Sequence, residues 1–297
     1  MLSNRARRTA AFVVAASVLS VGCTESTEPV NASPSDPVPG TPADLSGHQI
    51  ATVALDGIRL VNLDGSGVTQ LTATGRNPSF SPDGSRMVYS TTECETDWET
   101  YYKCEKGGLV ILDVATRVSS IPPEGFTGED PMWSPLGQEI VFSRYTPVGN
   151  RLFVMGLDGS PAVEIPVSGV NNAFGPSWSP DGRRIAFFGI GGHNGVCIIG
   201  RDGSGQACLP RQGITPVWSP DGTRLAVTAG NGQVGLMPLD GTAVTILTEG
   251  RGPSWSPDGT KLVLTRADGV YIANADGSRV QRVGSGNLSR PAWRPRR

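Results

Sequence analysis

The sequence predicts an all-β protein, a six-bladed β-propeller in which the N- and C-terminal strands close one blade. Three observations predict it. A marker of the form Pro-Ser-Trp-Ser-Pro-Asp-Gly recurs at Pro78 (PSFSPDG), Pro131 (PMWSPLG), Pro176 (PSWSPDG), Pro216 (PVWSPDG), Pro253 (PSWSPDG) and Pro291 (PAWRPRR). Its successive spacings of 53, 45, 40, 37 and 38 residues are those of one four-stranded blade. Finally, three strand-like runs precede the first marker and none follows the last, so the two ends complete each other.

In chain order, residues 1–22 read as a lipoprotein signal peptide. MLSNRARR is a basic n-region, and the apolar run Thr9–Val21 is too short to span a bilayer comfortably. The run ends in Leu19-Ser20-Val21-Gly22-Cys23, which resembles the lipobox of bacterial lipoproteins, so Cys23 is the expected lipidation site. Several acyl chains hold a protein to a membrane where one is marginal.

Residues 23–47 are the lipidated Cys and a disordered tether. Pro29, Pro34, Pro37, Pro39 and Pro42 stand among Ser, Thr, Glu and Asp, with no Lys or Arg and too few large apolar residues for a core. Such a chain rises about 3 Å per residue when extended.

The propeller is expected over residues 48–297. Gln49–Val53, Ile58–Leu63 and Val68–Leu71 supply three strands with no marker before them. After each marker comes a continuous apolar run, as in Met87-Val88-Tyr89, Ile140-Val141-Phe142 or Leu262-Val263-Leu264, which suits a strand covered on both faces. A second run follows, then an Asp-Gly hairpin turn at Asp158, Asp202, Asp240 or Asp276, then a short fourth strand such as Val244–Leu247. Within the marker, Trp fills the gap between twisted sheets. Pro ends the strand without needing a ladder donor, Asp caps the turn, and Gly takes the backbone angles other residues resist. The remaining strand, Pro291–Pro295, is expected to pair with the N-terminal strands and remove the open sheet edges.

The SPDG copies and the terminal strand exchange resemble the TolB-type propeller, also described as the WD40-like or PD40 repeat, over roughly Gln49–Arg297. Soluble periplasmic members of that family carry an α/β domain before the propeller and bind a peptidoglycan-associated lipoprotein. Here the tether stands where that domain would be, so contacts made by it are not carried over. Related propellers precede hydrolase domains in prolyl-oligopeptidase-like enzymes, and no such domain is expected here.

The 25 Lys and Arg, less the three of the leader, stand against 27 Asp and Glu, a net of −5. That balance excludes a general nucleic-acid binder, which needs a basic stripe. No G-x-S-x-G elbow, phosphate loop, H-E-x-x-H or EF-hand pattern occurs. With His48 and His193 the only histidines, no His-based metal centre is expected; structural calcium among the Asp-Gly turns is the one cofactor left open. His193, in a glycine-rich connection, is a candidate for the ring mouth. With Cys23 lipidated, Cys94, Cys104, Cys197 and Cys208 form an even set, expected as disulfides in an exported chain. Cys197 and Cys208 flank Asp202-Gly203 symmetrically, and Cys94 and Cys104 would close one loop. That loop lies in Thr91–Gly107, an acidic insertion between the second and third strands of a blade. Its Trp98, Tyr101 and Tyr102 are candidate partner contacts.

The sequence therefore points to a monomeric, lipid-anchored cell-envelope propeller that binds an envelope protein or a peptidoglycan-associated partner without catalysis. A glycan- or small-ligand-sensing propeller using the central channel is the alternative, and a lyase or hydrolase the third reading. Fold alone does not choose among them.

Overall fold

The computed structural model describes residues 47–91, 108–122, 127–209, 213–285 and 290–295. They form 24 strands in six four-stranded antiparallel sheets. In chain order the strands are β1 (Gln49–Ala54), β2 (Gly57–Asn62) and β3 (Thr69–Gln70); β4 (Arg76–Phe80), β5 (Arg86–Thr91), β6 (Gly108–Asp113) and β7 (Ser119–Ser120); and β8 (Glu129–Trp133), β9 (Glu139–Thr146), β10 (Gly149–Gly156) and β11 (Val163–Ile165). They continue with β12 (Asn172–Trp178), β13 (Arg184–Ile190), β14 (Gly195–Gly200) and β15 (Ala207–Cys208), then β16 (Ile214–Trp218), β17 (Arg224–Ala229), β18 (Gln233–Pro238) and β19 (Thr245–Glu249). The last are β20 (Arg251–Trp255), β21 (Lys261–Arg266), β22 (Gly269–Asn274), β23 (Gln281–Gly284) and β24 (Ala292–Arg294).

The first sheet runs β24-β1-β2-β3, with Gln49 opposite Arg294 and Ala51 opposite Ala292. The last marker thus supplies the inner strand of the first blade. The six inner strands β24, β4, β8, β12, β16 and β20 each neighbour the next in a closed cycle, so the blades form a ring.

The core lies between blades. Each of six apolar clusters joins one blade to the next, and the aromatic residue of a marker sits in every junction, Phe80 in the one between the first and second blades and a Trp in the other five. Phe80, Trp133, Trp178, Trp218, Trp255 and Trp293 are only 3–7% exposed, which explains why one large ring recurs per repeat. A basic residue of the preceding blade covers several of these rings: Arg86 lies over Trp133, Arg184 over Trp218 and Arg224 over Trp255.

The Ser-Pro-Asp-Gly turn is a closed hydrogen-bond network. At Ser219 the hydroxyl donates to Asp221 Oδ1 (2.5 Å) and to the Arg224 carbonyl (3.0 Å), while Asp221 Oδ1 accepts the Thr223 N–H at 3.0 Å. The same bonds recur at Ser81/Asp83, Ser179/Asp181 and Ser256/Asp258. Blade three has Leu136 in place of the Asp, 67% exposed. There the Glu139 N–H still reaches Ser134 Oγ, at 3.3 Å, beside 2.9 Å for the equivalent Arg86 and Lys261 bonds and 3.2 Å for that of Arg224. Glu139, standing where the others have Arg or Lys, instead pairs with Arg201 of the next blade.

Candidate functional site

Strand pairing fixes which ends of the ring face which way. The marker turns leave the inner strands at one face, the turn face. The starts of the inner strands lie beside the second-to-third-strand connections at the other: Arg76 pairs with Ser90, and Thr91 with Gly108. We refer to that end as the hairpin face.

Five inner strands carry the same irregularity at the hairpin face. Arg76 pairs with Ser90 but Ser79 with Val88, so β4 holds one residue more than β5 over that step. Equivalent bulges occur in β8, β12, β16 and β20. The residue before the marker proline is left-handed in each, with φ of 50° at Asn77, 50° at Asp130, 57° at Gly175, 52° at Thr215 and 56° at Gly252. A residue preceding proline ordinarily stays extended, and a β-branched residue at positive φ is an outlier. Such strain persists only where the surroundings over-determine it. Hydroxyls do this at four of the five: Ser90, Ser143 and Thr265 of the paired strands donate to the carbonyls of Arg76, Glu129 and Arg251, the Thr215 and Thr228 hydroxyls meet at 2.9 Å, and Thr228 Oγ1 also accepts the Gly252 N–H of the next blade. Bulges re-aim side chains, and here they present a ring of unlike residues to the channel mouth.

Asp130 is the centre of that ring. Its Oδ1 accepts from Asn77 Nδ2 at 2.6 Å and its Oδ2 from the Gly175 N–H at 3.1 Å. Arg290, before the closing strand β24, reaches from the first blade to Asp130 in the third, with Nη2 3.4 Å from Oδ1. Glycine makes room for it. A Cβ at Gly175 would stand 2.5 Å from Arg290 Nη2, and one at Gly252 3.0 Å from its Cγ. Beside Asp130, the Glu129 carboxyl is pushed up to about 7 by burial and by the Asp130 charge, against the opposing pull of Arg76.

Behind this mouth lies a cavity of about 370 Å³, running along the inner strands to six turn prolines at the other face, Pro82, Pro135, Pro180, Pro220, Pro257 and Pro295. Its walls combine the marker prolines with Met132, Val217 and Ala292. Proline suits an inner edge strand, since it has no N–H to leave unpaired toward the channel. Serines of the marker stitch neighbouring inner strands together: the Trp133 N–H donates to Ser79 Oγ (3.0 Å) and the Trp218 N–H to Ser177 Oγ (3.2 Å). Two buried indole donors, Nε1 of Trp178 and of Trp218, have no acceptor among the described residues.

Of the residues singled out by sequence, Cys197 and Cys208 are brought together as expected, opposite each other on β14 and β15 and joined by a disulfide. His193 lies exposed against Gly169, its N–H donating to the Gly169 carbonyl, and does not line the channel. Cys23, Cys94, Cys104, Trp98, Tyr101 and Tyr102 lie outside the described residues. Among the described residues no three His, Cys, Asp or Glu side chains gather as a metal site. Sequence reasoning missed the mouth ring. Its signal is the position before each marker proline, which reads Asn, Asp, Gly, Thr, Gly and Arg while its neighbours repeat.

No protein-family profile matches the chain. A stretch of 147 residues, 48% of the chain, is 29% identical to a TolB homologue of Chlorobium luteolum and covers 31% of that protein. Another of 119 residues, 37% of the chain, is 29% identical to an uncharacterized peptidase of Bacillus subtilis, YuxL, and covers 16% of it. The chain thus spans less than a third of the length of these curated relatives. Among solved structures, TolB from Acinetobacter baumannii superimposes with a TM-score of 0.69 at 19% identity, over 86% of this chain and 68% of that one. A putative TolB from Agrobacterium tumefaciens gives 0.62 at 20% identity, over 80% and 87%. A chain of a nidogen/laminin complex gives 0.63 at 12% identity, over 84% and 98%. At these identities the likeness is one of fold, and the fold is a TolB-like six-bladed propeller.

Proposed function

We propose that this TolB-like propeller is a non-catalytic scaffold of the bacterial cell envelope, lipid-anchored through Cys23, that captures an envelope protein or a peptidoglycan-associated partner on its hairpin face. The observation that carries the reading is where the chain departs from its own repeat. Thr91 and Gly108, the described residues on either side of the acidic stretch, lie on the same face as the unlike residues Asn77, Asp130 and Arg290. Everything that repeats is engaged in packing or turn closure, so recognition falls to the positions that do not repeat. The solved chain of the nidogen/laminin complex, almost wholly covered by this fold, comes from an assembly of two proteins, and supports a binding role for such a ring. In this reading Trp98, Tyr101 and Tyr102 are the contact anchors.

Two experiments test it. Cys23→Ala should move the protein from membranes to the soluble fraction; continued membrane association would remove the anchor from the proposal. Cross-linking in envelope fractions should yield a defined adduct that Trp98→Ala with Tyr101→Ala abolishes in a folded protein. An adduct unchanged by that pair would discard the insertion as the contact.

A second reading, a small-ligand propeller, is favoured by one observation: the 370 Å³ cavity ends at a guanidinium.

A further inference from the structure

We propose that the channel is a carboxylate pocket in which Arg290 is the anchoring cation. The proposal rests on the second reading above and names its ligand as a small apolar acid, or an apolar peptide ending in a free carboxylate. The asymmetry between the two charged groups at the mouth carries it. Asp130 is fully engaged: Oδ1 takes the Asn77 amide and faces Arg290, while Oδ2 takes the Gly175 N–H. Arg290 meets Asp130 at Nη2, 3.4 Å from Oδ1, and a guanidinium carries five N–H donors in a planar fork. The fork lies at one end of the cavity, and its side chain is 20% exposed.

The surroundings hold that head in place. Gly175 and Gly252 lie against the Arg290 side chain at positions where a Cβ would be 2.5 Å and 3.0 Å from it. Asp130, itself fixed by two neutral donors from β4 and β12, sets its direction. A fixed cation at the end of a largely apolar tube selects a ligand with an anionic head and an apolar body. Prolines, Met132, Val217 and Ala292 take the body, and the remaining fork donors take the head in a charge-assisted bond. A cationic ligand is disfavoured, because among the described residues the only carboxylate lining the cavity, Asp130, already has its partners.

The test uses the full chain extracted in detergent. Phenylacetate and an acetylated dipeptide ending in Phe with a free carboxylate are titrated calorimetrically beside their neutral amides. At least one acid should bind saturably, with its amide weaker by about tenfold or more, the loss of one charge-assisted contact. Binding by phenylacetate names a free small acid as the source of the carboxylate; binding by the peptide alone names a chain terminus. Arg290→Gln should remove the preference for acid over amide. If that variant fails to fold, Val217→Phe, which fills the tube and leaves Arg290 untouched, should abolish binding of both acids. Equal binding of acid and amide that Val217→Phe still abolishes overturns the carboxylate assignment and leaves the channel reading standing. No saturable binding by any probe up to millimolar concentration overturns both.

Discussion

Replacing Glu129 with Gln should stabilise the protein at neutral pH and flatten its stability profile. In the unfolded chain a Glu loses its proton near 4.5, whereas in the folded ring burial and Asp130 hold it until about 7. Below about 4.5 both states are protonated and the group contributes nothing. Between about 4.5 and 7 the unfolded chain ionises and the folded one does not, so stability falls as pH rises, by about 1.4 kcal/mol per pH unit. Above 7 the full cost is reached, about 3 kcal/mol. In a domain of this size that corresponds to roughly 6–12 °C in melting temperature. Gln keeps the volume and removes the charge. Circular-dichroism melts from pH 4 to 8.5 should therefore show variant and wild type together at the acid end, and the variant higher at the alkaline end. Parallel curves, or a variant that melts lower near pH 8, would refute the assignment of a buried, charge-crowded carboxyl at the mouth.

Four further perturbations have outcomes set by the same structure. Trp293→Ala empties the junction between the first and last blades, and urea denaturation should show a loss of about 3–5 kcal/mol; removing residues 289–297 should lower the melt further, and an unchanged melt would deny that β24 closes the ring. Asp221→Leu, which copies blade three, should destabilise at neutral pH. Ser219 and Thr223 hold that carboxyl down to about 2, so its contribution is present above about 4 and lost as pH falls through 2; acid unfolding should show the gap to wild type closing there. Reducing Cys197–Cys208, which are 11 residues apart, should cost about 3 kcal/mol, and thiol counting before and after reduction checks both this bridge and the expected Cys94–Cys104 pair.

Much of the fold was legible because a propeller writes its packing into a repeat. A Trp appears at five of the six places where one blade meets the next, with Phe80 at the sixth, and the same Ser and Asp recur at four of the turns by which an inner strand leaves the channel. Comparing the copies replaced any comparison with relatives, and the unpaired runs at the two ends predicted β24 against β1. Cys197 opposite Cys208 was readable for a similar reason, since both lie in one hairpin and strand pairing has a fixed register.

The mouth ring was not legible. Arg290 and Asp130 are 160 positions apart in sequence and belong to the first and third blades. Nothing local in either segment announces the other. The left-handed backbone at Asn77, Asp130 and Thr215 runs against the extended preference of a residue before proline, so propensity pointed away from it. Nor did charge pattern mark Glu129, an ordinary acidic residue until burial beside Asp130 raises its affinity for the proton.

By itself, then, the sequence determined the architecture: six repeats, their turn chemistry, the aromatic junctions and the exchanged strand, all set by contacts within a repeat or between adjacent ones. Only the tertiary structure decided what the channel presents. Closing the ring brings Asn77, Asp130 and Arg290 to one mouth beside Gly175 and Gly252, and their charges and clearances exist only once distant blades face each other across it.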